Sequence, residues 1–167
     1  QEQVRQGTAE ASQKIGSGEQ EATRRTPDSE KESGQRISHW LTPVSEKGNM
    51  SSKEVVQRLV GRDQIYGYGE STPGRKELAH GDRIAFYASG EGVVAHAEVA
   101  SRPEKQDVPS DHLSIPDAEQ YPYVFELREP TLYPDAPVVI DQELRAKLDA
   151  FEDSDPAAAW GWFVVST

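Results

Sequence analysis

All 13 aromatic residues of the 167-residue chain lie between Trp40 and Phe163. Large aromatic side chains dominate the area that a small core buries, so this distribution fixes where a core can form. Residues 1–36 hold only five apolar side chains, Val4, Ala9, Ala11, Ile15 and Ala22, among Gln, Glu, Ser, Gly and Arg. Such a stretch cannot offset its own ordering entropy. It is expected to be a disordered mixed-charge tail or linker, with six basic and seven acidic residues. Residues 37–167 then form one domain of ordinary size, large enough for a genuine core.

Charge narrows the partners. The whole chain carries a net charge of −11, and ten of those charges belong to residues 37–167. They are unevenly spread: residues 37–97 hold seven basic and seven acidic residues, residues 98–167 five and fifteen. The acidic half repels a phosphate backbone, whereas Arg58, Arg62, Arg75, Lys76 and Arg83 in the neutral half can touch one. The absence of cysteine excludes disulfides, thiolate metal sites and a cysteine nucleophile, and fits a reducing, cytoplasmic setting. No apolar run is long enough to cross a bilayer, so no membrane partner is expected.

Local patterns give the elements. Ile37 to Val44 reads as an opening strand that ends near Pro43. Ser51 and Glu54 have capping-box spacing, Val55, Val56, Leu59 and Val60 form one apolar face, and Gly61 is the expected left-handed terminator of that helix. Gln64–Gly69 reads as a short strand, and Pro73–Leu78 as a turn of helix. Asp82–Ser89 and Gly92–Ala100 form a hairpin through Ser89-Gly90-Glu91-Gly92. Residues 102–120, rich in Pro, Asp and Ser, read as a long loop. Tyr121–Arg128 places Tyr123, Phe125 and Leu127 on one strand face. Asp141–Phe151 reads as a helix burying Leu144, Leu148 and Phe151, and Trp160–Ser166 as a last strand. The sum is an α+β fold: a small bent β-barrel flanked by two or three helices.

Enzyme signatures are lacking. The four histidines show no metal-ligand spacing; His96-Ala-Glu98 shares one strand face without a third ligand and reads as a satisfied barrel histidine beside a surface carboxylate. No serine occupies a nucleophile elbow, and Gly67-Tyr68-Gly69 lacks the third glycine of a phosphate loop. No catalytic residue, metal or cofactor is expected. The Trp and Tyr residues are more informative. Phe86, Phe125, Phe151 and Phe163 can fill a small core with the aliphatics, which leaves Trp40, Tyr66, Tyr68, Tyr87, Trp160 and Trp162, whose polar edges suit a slot for a planar base.

The order of motifs resembles an EVE domain of the PUA-like superfamily. The resemblance runs through His39-Trp-Leu-Thr-Pro-Val-Ser45, Ile65-Tyr-Gly-Tyr68, Arg75–Tyr87 with its Gly-Asp-Arg-x-x-Phe-Tyr segment, Val93-Val-Ala-His-Ala-Glu-Val99 and Tyr121–Phe125, and covers essentially residues 37–167. EVE domains are similar to YTH domains, which hold a methylated adenine in an aromatic cage. The resemblance therefore implies a non-catalytic nucleic-acid-binding module that recognises a modified DNA or RNA base, alone or beside a fused or partner effector domain. By position, Tyr66 stands where the family often has the first cage Trp, with Trp40 opposite; Ser45 meets a base edge; Gly67 and Tyr68 let the ligand approach and shape a wall. Arg75, Tyr87 and Trp162 complete the expected binding set. Val164 replaces a common Arg, and the helix that the resemblance implies after Ser166 is missing, so the chain is expected to be truncated relative to the family. Two other readings compete: an ASCH-like enzyme acting on a nucleotide or RNA, using Arg75, Lys76 and Glu98, and a protein-interaction module built on the acidic 102–120 loop.

Overall fold

A computed structural model describes residues 36–148. The expected tail, the end of the 141–151 helix, the 160–166 strand and Trp162 lie outside the described residues. Within them the fold is α+β, a curled mixed sheet forming a half-barrel with two helices. In chain order come β1 (His39–Val44), α1 (Ser52–Val56) with a π-helical continuation (Gln57–Asp63), β2 (Ile65–Tyr68), β3 (Arg83–Ala88), β4 (Gly92–Val99), β5 (Glu104–Lys105), β6 (Tyr123–Leu132) and α2 (Gln142–Arg145). The sheet order is β1-β3-β4-β6-β2, with β5 also on β6. Only the β1–β3 pairing is parallel.

β6 makes the sheet curl. Its first half pairs with β2 and β5, and its second half pairs with β4. Within the second half Glu98 faces Arg128 and His96 faces Thr131, so Glu129 and Pro130 together oppose Ala97. Glu129 adopts a left-handed backbone, φ 50°. A bulge of this kind bends and twists its strand. The Glu-Pro pair is what made the strand look complete at Arg128; it continues to Leu132 because the bulge accommodates the proline.

The helix starts as its sequence predicts. Ser51 Oγ accepts from the Glu54 amide at 3.3 Å, and the Glu54 carboxylate accepts from the Ser51 amide at 2.8 Å. Its end differs. Gln64, not Gly61, takes the left-handed position, φ 52°, and donates its amide to the Leu59 carbonyl across a π turn. Gly61 stays within the helix, and its lack of a side chain is a matter of space: a Cβ there would stand 2.7 Å from Leu132 Cδ2 on β6. The missing side chain lets the helix lie close on the sheet. Near 73–78 the chain makes one turn, closed by the Leu78 amide on the Gly74 carbonyl at 3.2 Å.

The inner face of the sheet and the helix enclose one core, with Val44, Val55, Val56, Leu59, Ile84, Phe86, Val99, Phe125 and Leu127 among its buried side chains. A second cluster, Tyr87, Val93 and Ile140 with Leu41, Ala85, Tyr133 and Leu148, occupies the other face. Leu144 does not join a buried stripe; it is exposed, because α2 is short and meets the sheet through Ile140 and Leu148. The 102–120 stretch is more structured than a bare loop. It contains β5 and two 3-10 turns, Pro109–Asp111 and Ala118–Gln120, and buries Pro109, Leu113 and Ala118.

The His96–Glu98 pair reverses its expected roles. His96 is exposed and lies 3.3 Å from the Tyr133 hydroxyl, whereas Glu98 is buried between Arg83, at 2.9 Å, and Arg128. The register brings Arg83 and Arg128 to Glu98 from the strands on either side of β4. A carboxylate flanked by two guanidiniums in this way tolerates burial that an isolated one does not.

Candidate functional site

The aromatic residues singled out in the sequence occupy three different surroundings. Tyr66 and Tyr68 project from β2 into the core. Tyr66 lies 5.0 Å from Phe86 and 6.0 Å from both Phe125 and Tyr68, centroid to centroid. Burial is the main cause that pushes the Tyr66 phenol far above its ordinary value, so it stays neutral. Tyr68 lies 5.0 Å from Phe125, and its hydroxyl is 2.7 Å from Thr42 Oγ1. Burial pushes its phenol up to about 12, partly offset by the Thr42 hydrogen bond. Both rings are ordered by contacts with other protein rings.

Trp40 is held by a turn. Its indole Nε1 donates to Asp82 Oδ2 at 2.8 Å, and the buried Asp82 carboxylate also accepts the amides of Ser38 and Ala79, each at 3.0 Å. Against the ring lies Gly74, where a Cβ would stand 2.6 Å from Trp40 Cζ3. The indole edge and part of its face are thus engaged within the chain. Asp82 escaped notice in the sequence because Gly81-Asp82 looks like a plain turn; its three partners come from residues up to 44 positions away.

Tyr87 belongs to the cluster on the opposite face of the sheet from Phe86, so it does not share a slot with Tyr66. Arg75 stands elsewhere again. Its guanidinium stacks 3.5 Å from the Tyr123 ring centroid and donates to the Glu70 carbonyl at 2.9 Å. Tyr123 in turn donates to Glu70 Oε1 at 3.1 Å, and that bond, followed by the charges of Lys105 and Arg75, holds the Glu70 carboxyl below its usual range.

Tyr66 and Gly67 do come together, around residues not anticipated from sequence, and Ser45 reaches that group only through Lys47. Tyr66 and Gly67 line a small depression with Lys47, Val55, Leu59, Leu113, Ile115 and Tyr121. Lys47 Nζ donates to Ser45 Oγ at 2.8 Å and lies 4.8 Å from the Tyr121 ring centroid, within cation–π range. Lys47 is positioned by a tight turn in which the Lys47 and Met50 backbones bond reciprocally at 2.9 Å. A lysine, a hydroxyl and two phenol rings can offer donors, an acceptor and stacking surface to a planar polar group.

The depression is closed as it stands. Its free volume is about 10 Å³, room for one water at most. The cover is the segment Leu113–Ile115. Gly67 is covered by that segment instead of lying open to a ligand: a Cβ there would fall 2.5 Å from Leu113 Cδ1 and 3.1 Å from Tyr121 Cβ. Ser114 is fastened from outside, its carbonyl by Arg58 at 3.2 Å and its hydroxyl by Arg62 at 2.9 Å and by Asp63. The Arg62 hydrogen bond is the main cause that holds the Asp63 carboxyl below its ordinary value.

Among the described residues no group of three His, Asp or Glu side chains stands where it could hold a metal ion, and no helix is long and apolar enough to cross a membrane. In comparisons with known proteins, no family model and no curated sequence matched the chain. Its own residues therefore carry the functional argument.

Proposed function

We propose that the chain is a non-catalytic module that binds a strand of DNA or RNA and recognises a methylated or hydroxymethylated base. One observation carries the reading: Lys47, Tyr66, Gly67 and Tyr121, from three separate stretches of sequence, converge on one apolar-floored depression, with Ser45 hydrogen-bonded to Lys47. The resemblance of the motif order to EVE domains supports it. In this reading Tyr121 supplies the stacking surface, Lys47 and Ser45 meet polar edges of the base, and Tyr66 forms the floor. Leu113 and Ile115 move aside to admit the ring. The net charge of −11 makes backbone attraction weak, so affinity is led by the base and falls with salt. The module works in the cytoplasm, alone or beside a fused or partner effector domain.

The test is a fluorescence titration of the full chain at low salt with short single- and double-stranded oligonucleotides. Each is used with and without 5-methylcytosine, 5-hydroxymethylcytosine or N6-methyladenine. One modification is expected to raise affinity by about 10–200-fold, the range that one small group supplies in a fitted site. Lys47→Ala is expected to reduce binding to that oligonucleotide. Equal affinity for every modified and unmodified pair would overturn the reading.

A further inference from the structure

Arg58 and Arg62 lie one turn apart on the helix that covers the core, a spacing that puts both side chains on one face. With Met50, Glu54 and Gln57 they line an open groove of about 260 Å³. Both guanidiniums converge on Ser114, more than 50 positions along the chain: Arg58 Nη1 on its carbonyl and Arg62 Nη2 on its hydroxyl. The neighbours of Ser114, Leu113 and Ile115, line the closed depression. One segment therefore separates an open arginine groove from the covered aromatic floor.

A neutral carbonyl is a weak partner for the Arg58 guanidinium, whereas Arg62 already holds the Asp63 carboxylate through Nε at 2.6 Å and Nη2 at 3.1 Å. Hydrogen bonds to an anionic acceptor are roughly twice as strong as those to a neutral one, and arginine pairs with phosphate in a two-pronged geometry. The acidic groups beside the groove are engaged. Glu54 Oε2 accepts the amide and hydroxyl of Ser51, both at 2.8 Å, and Asp63 holds Arg62 Nε at 2.6 Å and the Ser114 hydroxyl. Asp63 offsets much of the Arg62 charge, which leaves Arg58 the stronger contact and room for one phosphate.

We infer that Arg58 and Arg62 form a phosphodiester subsite beside the base-binding depression, in which the Ser114 oxygens occupy the acceptor positions that a strand phosphate takes on binding. The inference rests on the reading of the chain as a strand-binding module and adds to it how the strand is gripped. Replacing Ser114 by phosphate unfastens the Leu113–Ile115 cover. Backbone capture and opening of the depression are thereby one event.

The experiment measures affinity against salt concentration for wild type, Arg58→Gln, Arg62→Gln and an exposed control outside the groove, Lys147→Gln. The probes are single-stranded oligonucleotides with and without the preferred modification. Arg58 and Arg62 are exposed, so both variants are expected to remain folded with a small loss of melting temperature. Loss of one phosphate contact on a single strand lowers the log–log salt slope by about 0.7. Arg58→Gln is expected to approach that change and Arg62→Gln to show a smaller one, with Lys147→Gln leaving the slope unchanged. An unchanged slope in Arg58→Gln, or an equal change in Lys147→Gln, overturns the subsite. These outcomes are separate from failure of base reading: there the wild type treats modified and unmodified strands alike, whatever the arginine variants do to the slope.

Discussion

Two sets of aromatic residues in this chain meet very different surroundings. On the inner side, Tyr66, Tyr68, Phe86 and Phe125 form a mutually packed set, with the Tyr68 hydroxyl against Thr42. At the rim, Tyr121 is only half-buried, faced by Lys47, and Tyr123 is stacked by Arg75. The inner rings are fixed by apolar contacts on several sides, whereas each rim ring keeps a cation on one face and solvent nearby. A tyrosine at the mouth of a strand can thus be core or contact surface, and its neighbours across the sheet decide which. In the proposed reading, ligand recognition belongs to the rim and stability to the inner set.

The largest expected effect lies inside. Tyr66→Ala should cost about 3–5 kcal/mol of stability, the range for emptying a large aromatic site, read as a lower midpoint in urea unfolding. Loss of binding in that variant would therefore report unfolding before it reports recognition. Asp82→Ala removes the shared acceptor of the Ser38 and Ala79 amides and the Trp40 indole, and should cost about 3 kcal/mol, since each abandoned donor carries a penalty of about 1–3 kcal/mol. A change under 1 kcal/mol in either would break the assignment of these residues to structure.

Smaller effects sharpen the boundary between the two regions. Gly67→Ala drives a methyl group toward Leu113, and should cost about 1–3 kcal/mol as overpacking does while speeding amide exchange in residues 113–115. Ser114→Ala removes the hydroxyl shared by Arg62 and Asp63. Its expected cost is about 1 kcal/mol, with increased exchange confined to the same segment. The smallest effect is that of pH. The Asp63 carboxyl sits below its ordinary value near 3.8, so its contribution is complete above that value and is lost as pH falls through the lower folded one. Exchange at residues 113–115 should rise below about pH 3.8 in wild type and show a weaker pH response in Asp63→Asn.

How much of this was legible in the sequence depended on distance along the chain. The capping box at Ser51 and Glu54, the Ser89–Gly92 hairpin and the β-strand class of Asp82–Ala100 rest on neighbouring residues, and they read correctly. Gly61 and Gly67 misled because a glycine signals either backbone freedom or a close neighbour. Here Leu132 and Leu113, distant in sequence, make both a matter of space. The bulge at Glu129 hid behind a proline that usually ends strands. In the depression, Tyr66 and Gly67 belong to the set chosen from the sequence, whereas Lys47 and Tyr121 do not: Lys47 lies in a tight turn and Tyr121 just before β6, and neither local pattern marks a site. The 102–120 composition reads as a long loop, but which of its residues fold back over β2 depends on contacts that no local pattern encodes.

The most direct test compares the two regions on one ligand. Full-length wild type, Tyr121→Ala and Tyr66→Phe are titrated with the preferred modified oligonucleotide and its unmodified counterpart, after unfolding curves establish that all three are folded. Rim recognition predicts that Tyr121→Ala abolishes the preference for the modified base, while Tyr66→Phe, which keeps the buried ring, retains it within about twofold, well under 1.4 kcal/mol. Loss of the preference in Tyr66→Phe together with its survival in Tyr121→Ala would contradict the account and move recognition to the inner aromatic set.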